Sequence, residues 1–439
     1  MLTNLAYLRN RLRSSFWLVP GALTVAGIGA ALAMLWLDSV EPDLAVLRWA
    51  APFAVGADGA RLVLSTIAGS MITVASLVFS MTLVALTLAA SNIGPRLLDR
   101  YISNRVNQVA LGLFLATFVY SLIVLRAVID DDSMVFVPHL SVSLAMVLAI
   151  LSFGWLIAFI HELATSIQID NTVARVAGEL IDALHRLPDD GPSPGDPSPA
   201  TLGQRAIRAG MPHTSVTAGA SGYIQVIDAD ALVDIAREHE AIIEMVRRPG
   251  HFVIPTIELA RVRGTTEPDE GLADRIRGCV ILGPKRTAAQ DLEFSVTQLV
   301  EVAARALSPG VNDFYSAIAC VDHLTAALAL ALEKGLPSNL RHDAAGRLRV
   351  ELYPLAFQDL ADAALDPIRQ AAADNVAVSI RLLESLTMLA TCASSSVERK
   401  VLAEHGELVR ASALQEIRVE RDRHDVQARF AALQDRLQS

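Results

Sequence analysis

The chain has 439 residues, 52% of them hydrophobic and 19% charged, with a formal net charge of −10 at pH 7. That acidic balance, with no basic patch on a recognisable recognition fold, argues against a nucleic-acid binder. Cys279, Cys320 and Cys392 are isolated and odd in number, which argues against a disulfide framework and against a zinc site, and fits a reducing compartment.

Taken in chain order, the first element is an apolar run at residues 16–37, preceded by Arg9, Arg11 and Arg13. It exceeds the ~7–15 residues of a signal-peptide core and lacks a convincing small-residue cleavage site, so it reads as a membrane span. The second run, 62–90, is longer and carries hydroxyl side chains at Thr66, Ser70, Thr73, Ser80, Thr87 and Ser91, with Leu77 and Val84 filling the two missing steps. Spacings of three and four put all eight on one helical face. Such a polar seam on an otherwise apolar helix either packs against neighbouring helices through hydroxyl and small-residue contacts or lines a water-filled path. The stripe carries no ionisable residue, which disfavours proton coupling and a strongly charge-selective filter.

Residues 109–129 and 138–164 supply a third and a fourth span. Arg96, Arg100 and Arg105 lie between the second and third. The third connection is Asp130, Asp131 and Asp132, and the first mixes Asp38, Glu41, Asp43 and Asp58 with Arg48 and Arg61. The arginine asymmetry predicts a multi-pass membrane protein with both termini cytoplasmic.

The expected architecture is therefore a membrane α-helical domain of four transmembrane helices (1–168), then a cytoplasmic helix and linker (169–201). A small α+β module (202–285) and a mostly helical domain (286–439) follow. The segment 187–201, LPDDGPSPGDPSPAT, is too rich in Pro, Gly, Asp and Ser to build a core. Strands are expected at 222–228, 251–259 and 276–282. A helix capped by Asp228 or Asp230 should run to Arg248, and the Pro249-Gly250 turn should feed the second strand. From Thr287 onward the pattern is helical, with breaks at 308–310, 335–338 and Asp366-Pro367, and 396–439 reads as a charged helical arm, exposed or self-associating.

Two local motifs in this part are candidates for a ligand or an interface. Lys285 to Asp291 reads as a capping box of Thr287 with Gln290, leaving Arg286 and Asp291 as a surface ion pair or a contact to a ligand or subunit. In Ala306-Leu307-Ser308-Pro309-Gly310-Val311-Asn312-Asp313, Pro309 and Gly310 suit a type II turn, with Asn312 or Asp313 capping the next helix. Arg305 beside that helix start gives an anion site as one reading and a structural corner as the other. Other matches fail. His161-Glu162-Leu163-Ala164-Thr165 lacks the second His of a zinc protease, and Gly278 to Lys285 resembles a phosphate loop but is interrupted by Pro284. Gly27-Ile28-Gly29 lies inside a span, where helix packing explains it, and no Gly-x-Ser-x-Gly is present. No catalytic signature, cofactor motif or metal set emerges, so an enzyme is not expected.

The chain resembles the bacterial predicted membrane proteins grouped as domain of unknown function 2254. The resemblance rests on Arg13-Ser14-Ser15-Phe16-Trp17, the hydroxyl-rich second span, and Gln108 with Gly112, Phe114, Thr117, Phe118 and Tyr120. Ser166-Ile167-Gln168, Arg286-Thr287 with Gln290-Asp291, and the 308–313 turn complete it. One departure is Phe314 where that family typically has Pro. The resemblance implies a four-span inner-membrane protein with a cytoplasmic domain and brings no catalytic residues. Two functions follow as expectations: an oligomeric channel or transport-related protein whose second span passes an ion or small solute, or a membrane-anchored sensor or scaffold. The expected partners are the lipid bilayer and further copies of the chain.

Overall fold

The computed structural model describes residues 17–40, 56–92, 104–131, 134–166, 169–187, 212–264 and 270–438. Arg9, Arg11, Arg13, Glu41, Asp43, Arg48, Arg96, Arg100, Asp132 and the linker from 188 onward lie outside them. The chain divides into two compact units, residues 1–169 and 170–439, each described by itself.

The first unit holds α1 (Leu18–Val40), α2 (Ala57–Asn92), α3 (Arg105–Ala127), a short hairpin of β1 (Ile129–Asp131) and β2 (Met134–Phe136), and α4 (His139–Ser166). Helix α3 is central and packs on the other three. Its buried face, including Leu111, Phe114, Tyr120 and Val124, meets Leu64, Met71, Ala75 and Val78 of α2. Polar pins hold the bundle at both ends and midway. At one end Asp38 of α1 accepts hydrogen bonds from the Leu140 and Ser141 amides (3.1 and 3.0 Å) and from the Ser141 hydroxyl (2.6 Å), capping α4, and Tyr120 Oη donates to the Ser141 carbonyl. Midway, Thr117 and Ser152 share a buried hydrogen bond of 3.1 Å. At the other end Asn104 donates to Glu162 (2.7 Å) and Trp155 Nε1 to the Val106 carbonyl. Both ends of α3 thus meet opposite ends of α4, as an antiparallel pair must. In a hydrocarbon setting such pins satisfy groups that have no water to turn to.

The second unit begins with α5 (Ile169–His185). It continues with β3 (His213–Thr217), β4 (Gly222–Ile227), α6 (Ala229–Glu238), β5 (Ile242–Met245), β6 (Phe252–Val253), β7 (Glu258–Arg263), α7 (Glu270–Gly278) and β8 (Val280–Gly283). Then come α8 (Leu292–Ala306), α9 (Phe314–Lys334), β9 (Leu340–His342), β10 (Leu348–Glu351), α10 (Phe357–Ala371), α11 (Val376–Ala390), α12 (Ser396–Glu416) and α13 (Glu420–Gln438). One sheet has the order β3-β7-β5-β10-β9, with β5 and β10 parallel and the other pairs antiparallel; a second, antiparallel, is β6-β4-β8. Ile224, Leu232, Ile243, Met245, Leu259, Val262, Ile276 and Val350 form the core of this α+β part. The remaining helices pack on one another around Leu299, Leu324, Leu365 and Leu386.

Several sequence expectations are corrected. The helix from Asp228 stops at Glu238, where Glu240 takes a left-handed φ of 48°, and β5 follows instead of further helix. The strand expected at 251–259 splits into β6 and β7 around Pro255, which cannot donate to a ladder. Residues 276–278 close α7, leaving only 280–283 as strand. Strands β9 and β10, read as part of a helical region, join the large sheet. Asp366-Pro367 does not break a helix: Pro367 sits inside α10. The 396–439 arm is two helices, α12 and α13, packed on each other and on α11, with Val401, Leu402, Val426 and Leu433 buried. Finally, among the described residues five helices, not four, are long and apolar enough to cross a membrane: α1, most of α2, α3, most of α4, and α9. The fifth packs against α8, α10 and α11, and its Asp322 pairs with Arg381 of α11. Apolarity alone does not distinguish a helix buried in protein from one buried in lipid.

Candidate functional site

The geometry of α2 decides where its hydroxyl stripe points. Ala57, Ala60, Leu64, Ala68, Met71, Ala75, Val78 and Ala85 are its buried side. Thr66, Thr73 and Ser80 each follow a buried residue by two positions, about 200° around the helix. The stripe therefore faces away from α3 and α4. Thr66, Thr73, Ser80 and Thr87 are exposed and Ser70 partly so; Leu77 and Val84 on the same face are 50% and 58% exposed. Ser91 falls in the last turn of the helix. Among the described residues of this unit, no helix covers the stripe.

The face is also broader than the stripe. Ser65, Gly69 and Ser76 are exposed beside it, so the half of α2 up to Ser80 intersperses small and hydroxyl side chains with exposed Leu62, Ile72, Leu77 and Phe79, whereas Met81, Leu83, Val84 and Leu88 crowd the shorter remainder. Many hydroxyls are satisfied locally. Thr66, Ser70, Thr73, Ser76 and Thr87 each donate to the carbonyl four residues earlier, at 2.7–3.0 Å. This leaves the oxygen lone pairs of those side chains outward as acceptors.

The six candidates in the second unit do not converge. Arg286 and Asp291 stand at the start of α8, and Arg305, Ser308, Asn312 and Asp313 at its far end, some 22 Å away at ~1.5 Å per residue. Asp291 is only 5% exposed. Its carboxylate takes Nε of Arg286 at 2.8 Å and an Nη at 3.0 Å, and also accepts the Phe294 amide at 2.9 Å. Asp291, not Thr287, is thus the N-cap of α8, and the pair expected at the surface is a buried bidentate clamp, with Arg286 lying over the Phe294 ring. Gln290, expected in a capping box, instead accepts the Ile227 amide and donates to the Ile227 carbonyl, tying off the end of β4. At the other end, Arg305 pairs with Glu301, and Ser308 donates to the Arg305 carbonyl. Asp313 caps α9 through the Ser316 amide and hydroxyl.

The 308–313 turn is not type II. Gly310 does not have positive φ; Asn312 does, at 51°, while the Val311 and Asn312 amides both bond the Ser308 carbonyl. The chain makes a helix-like turn and reverses at Asn312, one of the few non-glycine residues that tolerate this region. Asn312→Val is expected to cost about 1–2 kcal/mol from backbone strain, while Asn312→Gly and Gly310→Ala cost little. Thermal unfolding of the three variants checks this; equal losses at 310 and 312 would reject the assignment. Among the described residues no group of three His, Cys, Asp or Glu is placed to hold a metal ion.

Comparison with known proteins agrees with the membrane helices. A family model described as predicted membrane protein (DUF2254) matches residues 13–388. Uncharacterized proteins of Mycobacterium bovis and of Mycobacterium tuberculosis are each 31% identical over 423 residues, covering 94% of this chain and 79% of theirs. No solved structure matches. The chain belongs to the DUF2254 family of predicted membrane proteins.

Proposed function

We propose that the protein is an oligomeric channel or transport-related protein of a bacterial inner membrane, in which copies of α2 surround a path for an ion or small neutral solute. The observation that carries this reading is the direction of the hydroxyl stripe: among the described residues it points away from the other helices of its own unit. At 36 residues α2 is about 54 Å long, well beyond the ~30 Å hydrocarbon core, so part of it projects into water. Four helices cross, α1 to α4; α9 stays in the soluble unit because it carries the Asp322 to Arg381 pair and is enclosed by charged amphipathic helices. The arginines at 9, 11, 13, 96, 100 and 105 favour an orientation with both termini and the second unit in the cytoplasm and the β1–β2 hairpin outside. Leu77 and Val84 are the apolar constrictions, and the uncharged lining suits a path without strong charge selection.

The back-bonded hydroxyls favour a second reading, in which α2 faces pack dry against each other between copies and merely anchor a cytoplasmic sensor. Single cysteines separate the two, in a chain whose Cys279, Cys320 and Cys392 are replaced. Of these Cys279 is already a poor competitor, its thiol pushed up to about 11 by burial. Cysteines at Thr73, Ser80 and Thr87 should react with a membrane-impermeant thiol reagent, whereas Cys at buried Val78 should not. Leu77→Ser and Val84→Ser should increase solute leak from proteoliposomes. Protection along the whole stripe with unchanged leak would reject the path and leave the packed anchor.

A further inference from the structure

The second unit contains two depressions that share Arg247 at their rims, and their charge balance differs. In one, of about 460 Å³, the two arginines besides Arg247 are matched: Arg261 pairs with Glu258 and Glu244, and Arg263 with Glu244. The other, a cleft of about 360 Å³, is bounded by the end of α5, the Arg247-Arg248-Pro249 loop, the 288–293 turn and the segments 337–341 and 352–355. Four arginines, Arg186, Arg247, Arg248 and Arg341, line it against only two carboxylates, Asp291 and Glu293.

Those two carboxylates are already occupied. Asp291 is clamped by Arg286, and Glu293 holds Arg248 at 2.6 Å, which Asp359 also contacts at 3.0 Å. Arg341 is held by the carbonyls of Ser338 and Leu340. For Arg186 and Arg247 no acidic partner stands among the described residues, and the one hydrogen bond of the Arg247 side chain is a long 3.4 Å contact to the carbonyl of Val246. Arg186 is exposed at the rim, but Arg247 is half-buried, and a half-buried guanidinium without a counterion is costly unless an anion supplies one. The local field bears this out. Burial and then the charges of Arg248 and Arg247 push the His251 imidazole below its ordinary range, with Arg286 acting in the same direction and Asp291 opposing.

The remaining walls are not those of a bare ion site. Tyr353, 43% exposed, presents an aromatic ring on the rim, flanked by the Arg248 guanidinium 5.7 Å from its centroid and by the edge of His251. Ile227, Leu292, Leu352 and Leu355 make the lining largely apolar, and the volume falls in the range of small-molecule pockets, ~300–1,000 Å³. Guanidinium forks match phosphate oxygens, and an exposed ring next to an arginine suits a planar heterocycle.

We propose that this cleft binds a phosphate ester with a planar ring, a ligand of the nucleotide class, with Arg247 and Arg186 on the phosphate and Tyr353 against the ring. The site stands whether or not α2 lines a path. The test titrates the full chain in nanodiscs of neutral lipid with AMP, ATP, ribose 5-phosphate, adenosine and inorganic phosphate by calorimetry. AMP or ATP should bind, and adenosine far more weakly. Arg247→Ala and Arg186→Ala should each weaken AMP by about tenfold or more. Neither side chain has an ion pair among the described residues, and Arg410→Ala, an arginine paired with Glu407 elsewhere in the unit, should leave affinity unchanged. Tyr353→Ala should weaken AMP but not ribose 5-phosphate. Absence of binding by every phosphate compound up to millimolar concentration overturns the proposal, as does AMP affinity indifferent to Arg247 and Arg186. Ribose 5-phosphate as tight as AMP overturns the ring subsite. Nanodiscs containing phosphatidic acid form the last arm. If they abolish AMP binding to the wild type by occupying the same arginines, the phosphate belongs to a lipid headgroup and the soluble ligand is rejected.

Discussion

Gly250→Ala is expected to destabilise the second unit by about 3–4 kcal/mol, the cost typical of breaking a buried, hydrogen-bonded ion pair. Gly250 has a φ of 94° and follows Pro249 in a turn closed by the His251 amide on the Arg248 carbonyl at 3.1 Å. A methyl group there meets two penalties. The backbone is left-handed, which costs an alanine roughly 1 kcal/mol. The added carbon would also overlap the Asp291 carboxylate, 2.7 Å from its Cγ and 3.1 Å from Nη2 of Arg286. Asp291 has nowhere to retreat, being N-cap of α8 and partner of Arg286 at once. Gly346→Ala separates the two penalties, because Gly346 has a φ of 75° with nothing within 4 Å of its added carbon. Chemical unfolding of both variants, followed by protease resistance of the second unit, should show Gly250→Ala losing roughly 2 kcal/mol more than Gly346→Ala. Equal losses would mean that the Arg286–Asp291 clamp yields freely and does not fasten the turn to α8.

The same pair of residues explains why some local structure was legible in the sequence and some was not. Of the chain's Pro-Gly dipeptides, those at 249–250 and 309–310 stand in described turns. At the first, glycine adopts positive φ after proline as a type II turn requires; at the second, the turn is helix-like and Asn312 makes the reversal. The dipeptide permits either geometry, and the hydrogen bonds to Ile224 at one site and to Ala306 at the other select between them. Caps were readable where one side chain and one amide suffice, as at Asp228 and Asp313. Thr287 misled because its box with Gln290 is locally sound, yet Gln290 finds a stronger role bridging both backbone groups of Ile227, 63 residues away.

Membrane spans were legible because hydrocarbon imposes a length and a composition that few other environments demand. The period of the α2 stripe was legible for the same reason. Its direction was not, since a face becomes inward or outward only when α3 takes up the opposite one. Helix α9 shows the limit from the other side: its alanines and leucines satisfy a hydropathy rule, and only its neighbours reveal that protein covers it. The arginine cleft left no sequence signal at all. Its four arginines are spread from residue 186 to 341, and what distinguishes Arg247 from Arg261 is which of them has Glu244 across the strand pair.

Gly112→Leu is expected to break the first unit, because α1 and α3 cross at contact distance through one glycine on each. A Cβ on Gly112 would lie 2.9 Å from the backbone Cα of Pro20 and 2.7 Å from the Leu23 side chain; one on Gly27 would lie 3.0–3.2 Å from the Ala116 backbone and Cβ. The Pro20 contact is with backbone, so no rotamer change relieves it. In lipid the helices gain nothing from excluding water, and their association rests on such close packing and on a few polar pins. Pushing α1 outward also strains the Asp38 bonds to Leu140 and Ser141 that cap α4. The combined loss should reach about 3 kcal/mol, at the upper end of overpacking costs. It should be visible as lost resistance to a denaturing detergent and as easier proteolysis between α1 and α2. Gly29→Leu is the matched comparison, since Gly29 sits half a turn from Gly27 with nothing within 4 Å of its added carbon. It should fold as the parent does. A Gly112→Leu protein as detergent-resistant as Gly29→Leu would show that α1 is not seated on α3 at this crossing. The view of α2 as the helix whose hydroxyl face is left open would then have to be redrawn, because α1 would be free to cover it.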